Sequence, residues 1–231
     1  MRRPRILIVD DDLVIIKFLR ANLKASDYET LTAMDGAEAL EVIERELPDL
    51  VILDIMMPNM DGFEVCRQLR EWSRLPVIIL SARGDVTDKV KCLNLGADDY
   101  ITKPFGVGEL TARVRSMLRR TKAAAAISIQ PSFTSGDLKI NFAQRQVTIA
   151  GNEVKLTPTE YRLLEEFVVN AGKVLTHKYL LNKVWGPEYG EEKEYLRVFI
   201  ARLRTKLEAD PKNPRYIITV PGVGYQLGAI A

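Results

Sequence analysis

The sequence predicts an α/β doubly wound parallel sheet of five strands in its first half and an α+β domain in its second. Three observations carry that prediction. Short runs, apolar at every residue, recur as Ile6-Leu7-Ile8-Val9, Leu50-Val51-Ile52-Leu53 and Val77-Ile78-Ile79-Leu80. Strands covered by helices on both faces read this way. Helical periodicity separates these runs. Beyond about residue 134 the order becomes strands, then helices, then a Gly-rich hairpin.

Taken in order, strands are expected near 5–10, 28–32, 49–54, 76–81 and 98–102. Leu13, Ile16, Leu19 and Leu23 fit one face of a first helix, and Ala37, Leu40, Ile43 and Leu47 fit one face of a second. Gly36, Gly62, Gly84 and Gly96 punctuate the element ends. The first domain is expected over residues 1–121. Ala123–Ala126 and the polar stretch after it read as a linker over 122–133, either as added helix or as flexible chain. The second domain is expected over 134–231. In it, Leu138–Asn141 and Gln146–Ile149 alternate in polarity, and Gly151-Asn152 signals a turn before Val154-Lys155-Leu156. Thr157-Pro158-Thr159-Glu160 is a capping box that starts a helix burying Tyr161, Leu164 and Val168. A second helix follows Thr176 as far as Trp185, and a third spans about Lys193–Leu207. The hairpin closes the chain over Tyr216–Leu227.

In doubly wound sheets the site lies at the carboxyl ends of the strands. Here the first strand ends in Asp10-Asp11-Asp12, the third in Asp54, and the fourth in Ser81-Ala82, and Lys103-Pro104 follows the fifth. One such Asp is most often a turn former. Four strand ends in agreement point to a site. Clustered carboxylates repel one another unless a cation sits among them, and a hard, oxygen-seeking ion such as Mg²⁺ meets that need. A carboxylate beside Mg²⁺ and a lysine ammonium can attack a phosphoryl donor, because both cations neutralise the incoming oxygens.

Ile8–Asp12, Leu53–Gly62, Leu80–Arg83 and Gly96–Phe105 resemble the receiver domain of two-component response regulators, a flavodoxin-like fold. The resemblance implies that Asp54 accepts a phosphoryl group. It implies that Asp10 and Asp11 hold Mg²⁺ with Asp54 and the backbone carbonyl of Met56. Ser81 and Tyr100 become a switch pair, Lys103 a phosphoryl contact, and Asp12 the cap of the first helix. A phosphoryl group adds about −1.5 to −2 charge and three acceptor oxygens. Ser81 is expected to move inward to one oxygen, vacating space for the Tyr100 ring. Lys89, Lys91, Asp98, Asp99, Glu109, Arg113 and Arg115 then lie on the face expected to pair two copies about a two-fold axis. There Lys89 is expected near Glu109, and Asp98 or Asp99 near Arg113 or Arg115. A solvated mixed-charge surface is the bland alternative.

In the second domain, Leu196, Ile200, Leu203 and Leu207 form a core stripe on the third helix. Another face carries Tyr195, Val198, Ala201, Arg202 and Thr205, flanked by Arg197, Arg204 and Lys206. A basic helix with a slim middle fits a DNA major groove, although composition alone favours a solvated helix. Leu156–Leu164, Gly172–Thr176, Val184-Trp185, Ile200–Leu207 and Gly222–Tyr225 resemble the winged-helix effector of the OmpR/PhoB class. That implies Tyr195, Arg197, Val198, Arg202, Arg204 and Lys206 at double-stranded promoter DNA, and a loop near Gly186–Glu192 at RNA polymerase. Pro221 stands where many members carry a basic wing residue, so no base contact is assigned to the wing. Leu69–Ser73, Lys103–Leu110, Leu181–Pro187, Asp210-Pro211 and Pro214-Arg215 further resemble the branch that regulates potassium-transport operons.

Composition agrees with an input half and an output half. The net charge of +2 averages 18 basic against 20 acidic residues over 1–121 and 15 against 11 over 122–231. There is no run near the roughly 18–20 apolar residues of a membrane helix, and Ile6–Val9 is too short for a signal peptide, so membrane insertion is not expected and the cytoplasm is. Cys66 and Cys92 have no CxxC spacing and read as buried reduced thiols. The lone His177 has no metal-ligand or triad neighbour. The expected function is a phosphorylation-switched transcription factor, not an enzyme, served by a sensor histidine kinase and forming a homodimer on phosphorylation. Self-phosphorylation and self-dephosphorylation are the only turnover expected. The alternatives are a phosphorylation-independent DNA-binding regulator and an aspartyl-phosphate phosphatase. Haloacid-dehalogenase-type phosphatases need a second Asp two residues beyond the nucleophile, where Met56 stands here.

Overall fold

A computed structural model describes residues 2–82, 85–122, 132–187, 189 and 192–228. The chain divides into two compact units, Met1–Leu118 and Arg119–Ala231. The first alternates β1 (Arg5–Val9), α1 (Leu13–Ala25), β2 (Glu29–Ala33), α2 (Gly36–Glu46), β3 (Leu50–Asp54), α3 (Gly62–Trp72), β4 (Val77–Ser81), α4 (Val86–Asn94), β5 (Asp99–Thr102) and most of α5 (Val107–Lys122), whose last turn falls past the unit boundary. Its strands pair in parallel in the order β2-β1-β3-β4-β5, with the chain reversing its direction of travel at β1.

The core explains the all-apolar strands. Ile6, Ile8, Leu50, Ile52, Ile78, Leu80 and Ile101 pack with Ile16, Leu19 and Leu23 of α1 and Leu110, Val114 and Met117 of α5. The alternate strand residues, among them Leu7, Val51, Leu53 and Ile79, are buried too, so both faces of the sheet are covered. Asp12, Asp35, Asp61 and Asp85 each cap a following helix by accepting a backbone N–H, each cap contributing about 1 kcal/mol.

Two expected helix faces are corrected. Leu13 is 52% exposed, leaving Ile16, Leu19 and Leu23 as the buried stripe of α1. In α2 the buried residues are Gly36, Ala39, Val42 and Ile43, while Ala37 and Leu47 face solvent. The reason is a close approach at Gly36. A Cβ there would lie 2.6 Å from Val65 Cγ2 and 2.7 Å from the Met60 carbonyl oxygen. Only glycine lets α2 pack so near α3, and that contact sets the rotation of the helix.

The second unit holds β6 (Ser132–Ser135), β7 (Leu138–Asn141), β8 (Gln146–Ile149) and β9 (Asn152–Glu153), an antiparallel meander. Then follow α6 (Pro158–Val169), β10 (Leu175–Thr176), α7 (His177–Val184), α8 (Lys193–Leu207), β11 (Ile217–Val220) and β12 (Gly224–Leu227), with a sheet in the order β10-β12-β11. The capping box at Thr157 and Glu160 is formed, and Tyr161, Leu164 and Val168 are buried as expected. Strands β6 and β10 were not expected. Strand β6 begins inside the stretch read as linker, because a polar edge strand carries no periodic signal. Strand β10 is only two residues long. The β8–β9 turn is Ala150-Gly151 rather than Gly151-Asn152, since both residues have positive φ, 49° and 84°, as a two-residue hairpin loop demands. Gly84 and residues 123–131 of the expected linker lie outside the described residues.

Candidate functional site

Four strand ends of the parallel sheet build the first site. Asp10 follows β1, Asp54 ends β3, Ser81 ends β4 and Lys103 follows β5. The Lys103 ammonium bridges the two carboxylates, donating to Asp10 Oδ2 and Asp54 Oδ1 at 2.7 Å each. The outer oxygens are held by backbone. The Asp12 N–H donates to Asp10 Oδ1 at 3.0 Å, and the Met56 N–H to Asp54 Oδ2 at 2.5 Å. Both carboxylates are buried. Burial pushes the Asp10 pKa up despite the opposing pull of Lys103. Burial works against the Lys103 charge, but the two carboxylates prevail and hold its pKa above the usual value. Gly62 allows the loop after β3 to fold onto Asp54, because a Cβ there would sit 2.3 Å from the Asp54 backbone oxygen.

The structure thus brings together Asp10, Asp54 and Lys103 as the sequence led one to expect. Asp11 is exposed, and Asp12 caps α1 through the Val14 N–H at 2.7 Å. Among the described residues no three His, Cys, Asp or Glu side chains are gathered as a metal site. Lys103 lies between the two buried acids and takes one oxygen of each. The donor set still suits a hard cation, since every ligand atom on offer is oxygen and two buried negative charges face one ammonium.

Ser81 and Tyr100 are both buried. The Tyr100 hydroxyl is pushed up in pKa by burial, opposed by its hydrogen bond with the Ser81 side chain. The Tyr100 ring therefore already occupies the interior, rather than waiting outside for Ser81 to move. Lys89 Nζ lies 5.8 Å from the centre of that ring.

The expected pairing face divides in two. Asp98 is fully buried and accepts from Arg70 at 3.0 Å and from the Val77 N–H at 3.1 Å. Arg70 also donates to the carbonyls of Gly96 and Leu75. Asp98 is therefore an internal strut, corrected from its expected surface role. Asp99 is 1% exposed and pairs within the chain with Arg113, which also holds Glu109. Arg115 is exposed. Lys91 lies 3.8 Å over the Phe63 ring.

The second candidate site is α8. Leu196, Ile200, Leu203 and Leu207 form the expected core stripe. Several of the expected DNA contacts are turned inward. Tyr195 is buried against the Tyr189 ring at 5.9 Å, and Val198 is buried as well. Arg202 is only 11% exposed and pairs with Glu160 Oε1 at 2.7 Å. Lys206 pairs with Glu160 Oε2 at 2.6 Å and donates to the Lys155 carbonyl. Arg204 donates to the Ile217 carbonyl and to Thr219 Oγ1, tying the helix to β11. Arg197 stands out at 65% exposure, with a loose Glu194 pair at 3.3 Å. The outward line of α8 is Lys193, Arg197, Ala201 and Thr205. Sequence reasoning gave Glu160 only its capping role. Its cationic partners lie 42 and 46 residues downstream, and no local pattern signals a contact at that distance. In the loop expected at RNA polymerase, Glu188, Gly190 and Glu191 lie outside the described residues, while Tyr189 is buried on Trp185.

Comparison with known proteins bears on both sites. Residues 6–115 match the family model described as response regulator receiver domain, and residues 151–227 match that described as transcriptional regulatory protein, C terminal. The chain is 46% identical over 224 residues to the transcriptional regulatory protein KdpE of Mycobacterium tuberculosis, covering 97% of this chain and 99% of that one. It is 46% identical over 221 residues to the KDP operon transcriptional regulatory protein KdpE of Escherichia coli, covering 96% and 97%. Among solved structures it is similar to the response regulator DrrB of Thermotoga maritima, an OmpR/PhoB homologue, at 34% identity and a TM-score of 0.53 over 99% of this chain and all of that one. It is also similar to a point mutant of RitR, at 27% identity and a TM-score of 0.80 over 98% and 99%.

Proposed function

Because the chain belongs to the response regulators that join a receiver to an OmpR/PhoB-class winged-helix DNA-binding domain, we propose that Asp54 accepts a phosphoryl group from a sensor histidine kinase and so controls promoter binding. The observation that carries this reading is the Lys103 ammonium held between the buried Asp10 and Asp54 carboxylates at the carboxyl edge of the sheet. Asp54 is the nucleophile. The Met56 N–H holds one oxygen, and the Lys103-facing oxygen forms the new O–P bond as the donor's N–P bond breaks, its electron pair leaving with the kinase imidazole. Lys103 then moves its bond from carboxylate to phosphoryl oxygen, and the Ser81 hydroxyl turns from Tyr100 to another. Asp10, Asp11, Asp54 and the Met56 carbonyl would hold Mg²⁺, which when bound neutralises the oxygens of the incoming group.

Phosphorylation is read as promoting a homodimer through Lys89, Glu109, Arg113 and Arg115, with Asp99 orienting Arg113 from within. The dimer binds double-stranded promoter DNA and engages RNA polymerase, in the cytoplasm. The kinship with regulators named for the KDP operon, together with Lys103–Leu110 and Leu181–Pro187, supports a potassium-transport promoter as target. The chain is not an enzyme acting on outside substrates, since Met56 stands where a phosphatase would need its acid.

The test is incubation of the full chain with acetyl phosphate and Mg²⁺, followed by intact-mass measurement and peptide mapping. One hydroxylamine-labile phosphoryl group on Asp54, absent from Asp54→Ala, is expected. Labelling elsewhere, or equal labelling of the variant, would overturn the assignment.

A further inference from the structure

The buried acid of α6 has a consequence for DNA reading. Glu160 is fully buried, yet it holds two cations of the recognition helix, Arg202 on one oxygen and Lys206 on the other. Arg202 also lies 4.8 Å over the Phe199 ring, so its guanidinium is fixed on two sides. Arg202 and Lys206 are one helical turn apart and face α6. Ala201 and Thr205, each one position earlier, lie about 100° around the helix and are exposed. Arg204 is drawn aside by the Ile217 carbonyl and Thr219. With only 11% of its side chain exposed and its guanidinium held between Glu160 and the Phe199 ring, Arg202 is not presented to a DNA groove.

We propose that Glu160 is a positioning residue for DNA recognition. It withdraws Arg202 and Lys206 from the DNA and thereby sets Lys193, Arg197, Ala201 and Thr205 as the reading face of α8. This rests on the DNA-binding reading above and adds which residues read. The ion pair serves specificity in two ways. It fixes the rotation of α8 about its axis. It also removes two mobile cations that would otherwise grip any phosphate backbone without regard to sequence.

The test uses the full chain treated with acetyl phosphate and two probes. One is a duplex selected by the wild-type protein from a random-sequence pool, and the other is an unselected random duplex of the same length. Glu160→Gln keeps the side-chain shape and frees both cations. It should bind the random duplex more tightly, steepen the salt dependence of binding by about one unit for each cation released, and lower the selected-to-random ratio. Adding Arg202→Met should return about one unit of that slope and part of the ratio, and adding Lys206→Met as well should return the rest. Arg197→Ala should lower the ratio in the wild-type background. A purely structural role for Glu160 would weaken both probes together with no steeper slope, and that result would overturn the proposal. So would loss of discrimination at a single base pair in Glu160→Gln/Arg202→Met, which would make Arg202 a reader. If Glu160→Gln alone does not fold, the triple variant Glu160→Gln/Arg202→Met/Lys206→Met, in which no charge of the cluster remains, decides by its base preferences. A wild-type chain that selects no sequence would remove the DNA-binding reading and this inference with it.

Discussion

At the scale of single residues, burial and pairing decide what each charge can do. Asp98 and Arg70 were a surface acid and an unremarked base in the sequence, and they form a buried pair in the fold. Removing one partner of such a pair leaves an uncompensated charge. Arg70→Ala should therefore destabilise the receiver by about 3–5 kcal/mol, read as a lower urea midpoint. A loss below about 1 kcal/mol would mean that the pair is solvated. The cysteines follow the same logic in reverse. Burial pushes the Cys92 thiol up to about 12, and Cys66 is buried with it. Neither should react with a maleimide at pH 7.5 in the folded protein, and both should react in guanidinium, because only the thiolate attacks. Rapid labelling of native protein would contradict that burial. The buried cysteines were legible in the sequence as reduced thiols. The Asp98 strut was not, because its partner Arg70 lies 28 residues upstream on another element.

At the scale of elements, caps and close approaches set where helices begin and how they turn. The capping box of α6 was visible as a short motif, since it depends on residues three apart, and Asp12 was placed as the cap of α1, whereas the caps at Asp35, Asp61 and Asp85 emerged only in the structure. The phase of α2 was not visible, because Gly36 answers to α3 rather than to its own helix. Gly62 makes the same point at the site. Gly62→Ala would press a methyl against the Asp54 carbonyl, so the β3–α3 loop must shift. Acetyl-phosphate labelling of Asp54 should slow at least tenfold while the fold persists by circular dichroism. An unchanged rate would show that the loop has slack. The α6–α8 pair carries a pH signature. Burial opposes the Glu160 charge, but Arg202 and Lys206 prevail and hold its pKa below the usual carboxylate value. Its folded pKa is thus depressed, so its stabilising effect is present above the unfolded value near 4.5 and is lost as pH falls through the folded one. The Glu160 pair should add no change in melting temperature between pH 8 and 5 and should cost the second domain stability below about pH 4.5. Glu160→Gln should flatten that acid limb. A variant with an unaltered acid limb would place the titrating group elsewhere.

At the scale of the whole molecule, the near-neutral charge joins two unlike units. The receiver half is formally −2 and the remainder +4. Binding to DNA should therefore weaken steeply with salt, while phosphorylation at Asp54 should not depend on it. A promoter affinity insensitive to salt between 50 and 200 mM would exclude a basic recognition helix. On the dimer, Glu109→Lys should abolish phosphorylation-dependent association in sedimentation, and a compensating Lys89→Glu should restore it. Restoration by neither variant nor pair would move the interface elsewhere. Among the described residues no helix is long and apolar enough to cross a membrane. By itself the sequence determined the five parallel strands, the capping box of α6 and the residues gathered at the carboxyl edge. All of these follow from periodicity, or from which strand end a residue occupies, which topology converts directly into place. Only the tertiary structure decided which charges are already spent: Lys103 on two acids, Arg70 on Asp98, Arg202 and Lys206 on Glu160. Such pairs join residues dozens of positions apart. Coulomb attraction in a low-dielectric interior acts on distance in space, and a linear pattern of residues carries no record of it.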